Sequence, residues 1–161
     1  MNGEVEMARA VDGVPGPASP STVIDAAVEA VDLSVFLSLE EAQVAGEPDL
    51  VVELIDLYAE DTPRRLAAMK SALAAGDLAA LRRAAHGLKG SSASLGARRV
   101  ALLCEELERL PGAGLLQGGE TILTGLCREF ARVRLAFADE RDRRLRSRLY
   151  NENEVSGLSR S

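Results

Sequence analysis

The chain has 161 residues and a formal net charge of −6, which suits a single domain with flexible ends and argues against general nucleic-acid binding. Aromatic residues make up only 3% of the sequence and tryptophan is absent, so aliphatic helices rather than a β-sandwich are expected to form the core. No apolar run approaches the roughly 20 residues that cross a bilayer, and residues 1–10 lack the cationic and apolar regions of a secretory signal. We therefore expect a cytoplasmic protein with no membrane segment.

The first part of the chain is predicted to hold a leader and two helices. Residues 1–22 contain clustered prolines and glycines and are expected to be disordered. Apolar residues recur at helical spacing over Val31–Ala45, and a second such pattern begins near Pro48 and reaches Gly76. Within the second pattern, Asp61–Pro63 predicts either a capped restart of the helix or a kink.

Three further helices are predicted in the second part. Asp77 is expected to cap a helix that ends or bends near Gly96. The apolar stripe of this helix consists of Leu81, Ala85 and Leu88. The next helix is closed by Pro111–Gly114, and the last starts near Glu120 and continues its apolar steps to Phe137.

The connections between these helices are short, which predicts antiparallel neighbours. The sequence therefore indicates an all-α protein, an up-and-down antiparallel four-helix bundle with an additional short N-terminal helix. We assign the folded domain to residues 23–148 and a flexible tail to residues 149–161.

His86, the only histidine, lies beside the apolar stripe of its predicted helix. Residues three and four apart share a helix face, so Arg82 and Arg83 lie one turn before it, and Lys89 and Gly90 one turn after it. The cations disfavour a standing positive charge on the ring, and a neutral imidazole can act as a nucleophile. Once the ring carries an anionic group, the same cations become favourable partners. From periodicity alone, the alternatives are a surface histidine without function and a glycine that packs closely against another helix.

The stretch from Ala85 to Glu108 resembles the histidine-phosphotransfer (HPt) domain family. It contains His-Gly-Leu-Lys-Gly-Ser, then Leu-Gly-Ala, then Leu-Cys-Glu-Glu-Leu-Glu, in the order of that family's signature. The helix over Leu50–Asp61 is also similar, with Tyr58 in the family's aromatic place. The resemblance extends over residues 31–137.

This resemblance implies a phosphorelay intermediate: His86 accepts a phosphoryl group from a receiver-domain aspartate and passes it to another receiver. It also implies that Lys89 stabilises the phosphoryl group. The implied docking surface for receivers consists of Arg82, Arg83, Gly90 and Ala93. Glu108 stands where some stand-alone members carry a glutamine. Because an acid there would repel a phosphoryl group if it pointed inward, Glu108 receives no role.

By the same resemblance, the partners are response-regulator receiver domains and a hybrid sensor kinase, and the chain is expected to be a monomer. The chain has no room for an ATP-binding domain, so we expect a phosphocarrier without ATPase or autokinase activity. We expect it to hold no cofactor and no metal, with Mg²⁺ supplied by the partner receiver. The rival interpretation is a helical adaptor that binds a receiver or a partner helix without being phosphorylated.

Two weaker signals do not concern His86. Cys104 and Cys127 form no CxxC pair and are predicted to be reduced core thiols, with a disulfide or a metal site as the alternative. Five arginines between Arg141 and Arg148 are interpreted as a solvated end of the last helix, where cations complement the helix dipole. The alternative for these arginines is a contact with a partner or an anionic surface.

Overall fold

The structure, a computed structural model, describes residues 30–44, 46–112 and 115–158. The leader predicted for residues 1–22 lies outside the described residues. The described part of the chain contains five helices and no strand. These helices are α1 (Val35–Glu41), α2 (Leu50–Ala74), α3 (Leu78–Ser94), α4 (Arg98–Arg109) and α5 (Leu115–Leu158).

Side-chain caps and glycines set several of the helix ends. The carboxylate of Asp49 accepts hydrogen bonds from the first amides of α2, and Asp77 accepts from Ala80 N at 2.8 Å at the start of α3, as predicted. Gly76 and Gly96 adopt φ values of 68° and 78° after α2 and α3. Only glycine occupies this left-handed region without strain, so both glycines end their helices.

Pairs of contacting residues show that neighbouring helices run antiparallel. Between α2 and α3, Tyr58 contacts Ser92 and Arg65 lies against Gly87. The residue number therefore increases along α2 while it decreases along α3, as in an antiparallel pair. Between α4 and α5, Arg99 faces Glu129 and Leu110 lies near Gly118. The same reversal holds for α3 with α4 and for α2 with α5. The predicted up-and-down four-helix bundle with a short N-terminal helix is confirmed.

The core of the bundle is aliphatic with a small aromatic cluster, as the composition predicts. Leu81, Ala85 and Leu88 of the predicted stripe are fully buried. The rings of Phe36 and Phe137 lie 6.1 Å apart between their centroids, and Tyr58 packs edge-on against Phe130 and Phe137. Both cysteines are free, Cys104 buried and Cys127 half-buried.

The helix predicted over Val31–Ala45 is shorter in the structure at both ends, because it begins only at Val35 and ends at Glu41. Asp32 accepts hydrogen bonds from the amide and the hydroxyl of Ser34, which hold a turn instead of a helix. The amide of Asp32 also donates to the carbonyl of Gly96 at 3.0 Å. The segment before α1 therefore packs on the turn between α3 and α4, where a Cβ on Gly96 would overlap the carbonyl of Asp32.

Helix α2 runs through Pro63 without a break, so the restart allowed by the sequence does not occur. Thr62 is buried in the helix interior, and its hydroxyl donates to the carbonyl of Tyr58 at 2.7 Å instead of capping a new helix. Tertiary packing on both sides of this segment outweighs the lost amide hydrogen bond of the proline.

Helix α5 continues to Leu158, so residues 149–158, which we assigned to a flexible tail, are helical. The basic cluster is therefore not at a helix end, contrary to our interpretation, and its described partners belong to the same chain. Arg141 pairs with Asp56 at 2.7 Å, and Arg144 pairs with Glu140 at 2.6 Å and also with Asp49 and Glu40. Arg144 is only 11% exposed and lies over the ring of Phe36. These contacts hold α1 and the start of α2 on α5.

Candidate functional site

His86 projects from the solvent-facing side of α3. The stripe of Leu81, Ala85 and Leu88 fixes the rotation of this helix by burying one face. His86 follows Ala85 and is turned away from that face, so its side chain is 75% exposed. An exposed ring at this position can be approached by another macromolecule.

Glu108 of α4 holds the ring of His86 from the side of the bundle. The Nδ1 atom of His86 and the Oε1 atom of Glu108 are 2.6 Å apart, and Nζ of Lys89 donates to Oε2 of the same carboxylate. Glu108 is only 17% exposed. The carboxylate therefore points inward, the orientation in which an acid would repel a phosphoryl group. It faces the Nδ1 edge of the ring, however, and not the Nε2 edge.

The electrostatic surroundings keep Glu108 ionised. Burial alone would raise the pKa of its carboxyl, but the hydrogen bonds from Lys89 and His86 outweigh that effect and hold the pKa below its usual value. An ionised carboxylate only accepts hydrogen bonds, so the Nδ1 atom of His86 must carry the proton. In a neutral ring the lone pair then lies on Nε2, for which no hydrogen-bond partner is present among the described residues. This tautomer follows from the chemistry of the acceptor.

Lys89 lies one turn after His86, as predicted, and is 31% exposed. Its ammonium group is held by Glu108, so that a single carboxylate orients both the imidazole and the only nearby lysine. A flexible four-carbon stem lets the ammonium group turn toward an anionic group on the ring. The structure thus brings together His86 and Lys89, the two residues predicted to carry the chemistry.

The four residues predicted to form a docking surface are all exposed on α3. Arg82 is partly engaged, because it donates to the carbonyl of Leu110 at 3.0 Å, just beyond the end of α4. A Cβ on Gly90 would meet nothing within 4 Å. Close packing against another helix therefore does not explain this glycine, whereas clearance on the outer face remains consistent with it.

Sequence reasoning gave no role to Glu108, although the register of the hairpin could have found it. The turn between α3 and α4 is centred on Gly96, which lies ten residues after His86 and twelve before Glu108. Antiparallel helices joined by such a short turn place residues at similar distances from it side by side. That signal is accurate only to about one helical turn and does not give the direction of the side chain.

A buried hydrogen bond links α3, the helix that carries His86, to its neighbour α2. The hydroxyls of Tyr58 and Ser92 lie 2.8 Å apart and join α2 to the inner face of α3. Burial raises the pKa of Tyr58 to about 12 and that of the Cys104 thiol to about 12. Both groups therefore stay protonated at neutral pH and serve packing instead of acid–base chemistry.

Within the residues that the structure describes, no group of three or more histidine, cysteine, aspartate or glutamate side chains could hold a metal ion. In the same part of the chain, no helix is both long and apolar enough to cross a bilayer.

Comparison with known proteins gives the same family in three ways. The family model described as Hpt domain matches residues 53–141. Histidine-containing phosphotransfer protein 2 of Arabidopsis thaliana is 39% identical over 72 residues, and protein 4 of that plant is 35% identical over 85 residues. These matches cover 43% and 52% of this chain. The chain spans 46% of the length of the first relative and 67% of the second.

Two solved structures are similar to this chain over a larger part of its length. Histidine-containing phosphotransfer protein B from Pseudomonas aeruginosa is 36% identical, with a TM-score of 0.60, and the match covers 71% of this chain and 96% of that one. A histidine-containing phosphotransfer protein from maize is 25% identical, with a TM-score of 0.62, and the match covers 78% of this chain and 95% of that one.

Proposed function

This chain belongs to the Hpt domain family, and from that membership we propose that it is a phosphorelay intermediate whose phosphoryl carrier is Nε2 of His86. The phosphoryl group comes from the aspartyl phosphate of one receiver domain and goes to the aspartate of another. A hybrid sensor kinase supplies it at the start of the relay. The observation that carries this proposal is the exposed ring whose Nδ1 atom is held by an ionised carboxylate.

The transfer step requires no base on this chain. The Nε2 lone pair of His86 attacks the phosphorus, a bond forms between nitrogen and phosphorus, and the bond to the aspartate oxygen breaks. The leaving carboxylate keeps the electron pair, and the ring keeps its proton on Nδ1. Positive charge therefore develops on the ring, where Glu108 faces it across 2.6 Å. The reverse sequence delivers the phosphoryl group to the second receiver.

Lys89 and the clearance at Gly90 complete the proposed site. In the phosphorylated protein the ammonium group of Lys89 turns from Glu108 to a phosphoryl oxygen, where opposite charges attract. Gly90 leaves room for the receiver. No atom of this protein lies within 4 Å of the position that a Cβ would take there, so internal packing does not require a glycine. The docking surface consists of Arg82, Arg83, Gly90 and Ala93. We propose that the receiver supplies the Mg²⁺ and that this chain has no ATPase or autokinase activity.

The decisive experiment is phosphotransfer from a receiver. The protein is incubated with ³²P-labelled phosphorylated receivers of its source organism, and the label is tested for acid lability and base stability. We expect such a label on the wild type and none on His86→Gln. If no receiver labels the wild type, or if His86→Gln is labelled equally, the phosphotransfer proposal is wrong. An unlabelled protein that still binds a receiver would support the adaptor interpretation instead.

A further inference from the structure

A side chain from another helix fills the space next to His86. Gly87 has no side chain, and a Cβ built on it would overlap Nη1 of Arg65 and lie 3.2 Å from its Cζ. Arg65 belongs to α2, so its guanidinium crosses from that helix onto α3. The other glycine of this face, Gly90, has nothing within 4 Å of its Cβ position. The surface beside the histidine is thus bare backbone at Gly90 and a guanidinium at Gly87.

The guanidinium of Arg65 is held in place and remains accessible. Its Nε donates to the carboxylate of Asp61 one turn earlier, the one acceptor that Arg65 has among the described residues. The side chain is 36% exposed. Arg64 pairs with Glu60 in the same i,i+4 geometry but is 71% exposed and does not reach α3. Arg65 therefore offers its Nη groups in a restrained position, so it loses little side-chain entropy when it binds an acceptor.

Arg65 lies close enough to His86 to be reached by a partner that exchanges a phosphoryl group with this ring. From the 3.2 Å distance to the Cβ position of Gly87 and standard backbone geometry, Cζ of Arg65 lies within about 9 Å of the Cα of His86. The reacting atoms must approach to about 3–3.5 Å. Even a small transient interface buries on the order of 500 Å² per partner, a radius of roughly 12 Å. Because this distance is to the Cα and the ring extends beyond it, Cζ of Arg65 lies at or inside the rim of such a footprint centred on the ring.

The charge of this face favours an acidic contact. Helix α3 carries Arg82, Arg83 and Lys89 and no aspartate or glutamate, in a chain whose net charge is −6. Arg82 is engaged with Leu110 and Lys89 with Glu108. Arg65 adds a cation on the side of α3 that faces α2, away from Glu108. The Nε of Arg65 donates to Asp61, and its Nη groups donate to no described group. A partner carboxylate placed there could accept hydrogen bonds from these Nη groups.

We infer that Arg65 is a specificity-determining residue for phosphotransfer, and that its guanidinium over Gly87 binds an acidic side chain on the docking receiver. The inference rests on the proposed function, because it concerns the partner of that site. Gly87 makes this position of Arg65 possible, because it has no side chain in the space that the guanidinium occupies. Glu108, which holds Nδ1, belongs to α4, whereas Arg65 belongs to α2 and makes no described hydrogen bond or ion pair with the ring. We therefore expect Arg65 to act on the affinity for the receiver.

The test compares two arginines of one helix. Arg65→Gln and the matched control Arg64→Gln are assayed for transfer from a phosphorylated receiver at low and high salt. A small phosphoramidate donor serves as a receiver-free reaction. We expect Arg65→Gln to raise KM about tenfold, the effect of one charge-assisted hydrogen bond, to weaken the salt dependence, and to leave kcat and phosphoramidate labelling within twofold. Arg64→Gln should match the wild type, and Arg65→Lys should recover part of the loss.

Two further variants separate recognition from local charge and from folding. Asp61→Asn combined with Arg65→Gln removes both charges, so a raised KM in this variant cannot come from an unpaired Asp61. Gly87→Ala keeps every charge but displaces the guanidinium, and we expect it to raise KM as well. Gly125→Ala is its control, since a Cβ there meets only an ordinary contact with Leu103 at 3.9 Å. Thermal melts establish that each variant is folded.

The outcomes distinguish this inference from the proposed function. If the wild type is labelled by receivers but Arg65→Gln and Arg64→Gln share the same KM and salt dependence, the role of Arg65 is wrong and the phosphotransfer proposal stands. If labelling by phosphoramidate falls as much as transfer from the receiver, Arg65 acts on the ring chemistry and the inference is also wrong. If no receiver labels the wild type, the proposed function itself fails.

Discussion

Replacing Glu108 by glutamine should remove the tautomer preference of His86 and slow its phosphorylation. The substitution keeps the size of the side chain and changes only its hydrogen-bonding character. A carboxylate can only accept, so it selects the ring form with the proton on Nδ1. An amide can accept from Nδ1–H through its oxygen or donate to a bare Nδ1 through its nitrogen. Both ring forms therefore become acceptable at position 108, and half of the rings present a protonated Nε2 that cannot attack.

The magnitude follows from the geometry of the contact. The hydrogen bond is 2.6 Å long and its acceptor is 17% exposed, but the ring is 75% exposed. We therefore take the low end of the range for charge-assisted hydrogen bonds, about 1.5 kcal/mol, which favours the Nδ1–H form roughly tenfold. Glutamine then lowers the reactive fraction about twofold. Loss of the negative charge facing the developing positive charge removes about 1 kcal/mol more, a factor of about five. Together the rate falls roughly tenfold.

Nitrogen NMR of the imidazole reads the tautomer directly. Two-bond proton–nitrogen correlations on the neutral ring should show Nδ1 protonated and Nε2 unprotonated in the wild type, and averaged signals in Glu108→Gln. Phosphotransfer is measured in parallel as a single-turnover rate from a labelled receiver. Glu105→Gln is the matched control, because Glu105 is on the same helix and pairs with Arg109 at 2.6 Å instead of with the histidine. It should leave both the spectrum and the rate unchanged.

Two results would refute this reasoning. A wild-type ring with the proton on Nε2 would mean that Glu108 does not select the tautomer. A Glu108→Gln variant with averaged ring signals and an undiminished transfer rate would mean that the tautomer does not limit the reaction.

Three other predictions test the proposed roles and the packing. Lys89→Ala should shorten the lifetime of the phosphohistidine more than Arg98→Ala does, and equal hydrolysis rates would remove the role of Lys89. Gly90→Gln should slow transfer from the receiver while circular dichroism shows unchanged helicity, because a side chain there meets no protein atom within 4 Å of its Cβ; unchanged kinetics would show that clearance is not needed. Arg144→Ala should lower the free energy of unfolding in urea by about 2 kcal/mol, because it removes the contact with Phe36 and the ion pairs that join Glu40 and Asp49 to α5. Arg143→Ala should cost less than about 1 kcal/mol, because Arg143 is exposed and Glu140 keeps its pair with Arg144.

The sequence determined the secondary structure of the central helices because their ends and faces have local causes. The N-cap of α3 at Asp77, its end at Gly96 and its buried stripe all follow from short-range chemistry. The position of His86 beside that stripe follows from the same periodicity. The spacing to Lys89 follows as well, since a helix places residues three apart on one face.

Elements whose conformation depends on distant contacts were not determined in this way. Pro63 favours a break locally, but packing of α2 against its neighbours keeps the helix continuous. The start of α1 depends on how the segment at Asp32 packs on Gly96, far away in the chain. The basic cluster of α5 was interpreted from the sequence as a solvated helix terminus. Its acidic partners lie on α1 and α2, far away in the chain, so only the folded structure shows these ion pairs.

The same division holds for the candidate site. The sequence alone identified a histidine with a lysine and a glycine on its helix face, because those relationships lie within one helix. Only the tertiary structure decided which side chains of α4 and α2 reach that face: Glu108 on Nδ1 and Arg65 over Gly87. A sequence fixes the spacing within a helix to a fraction of an ångström, whereas the register and rotation between helices depend on the packing of the whole core.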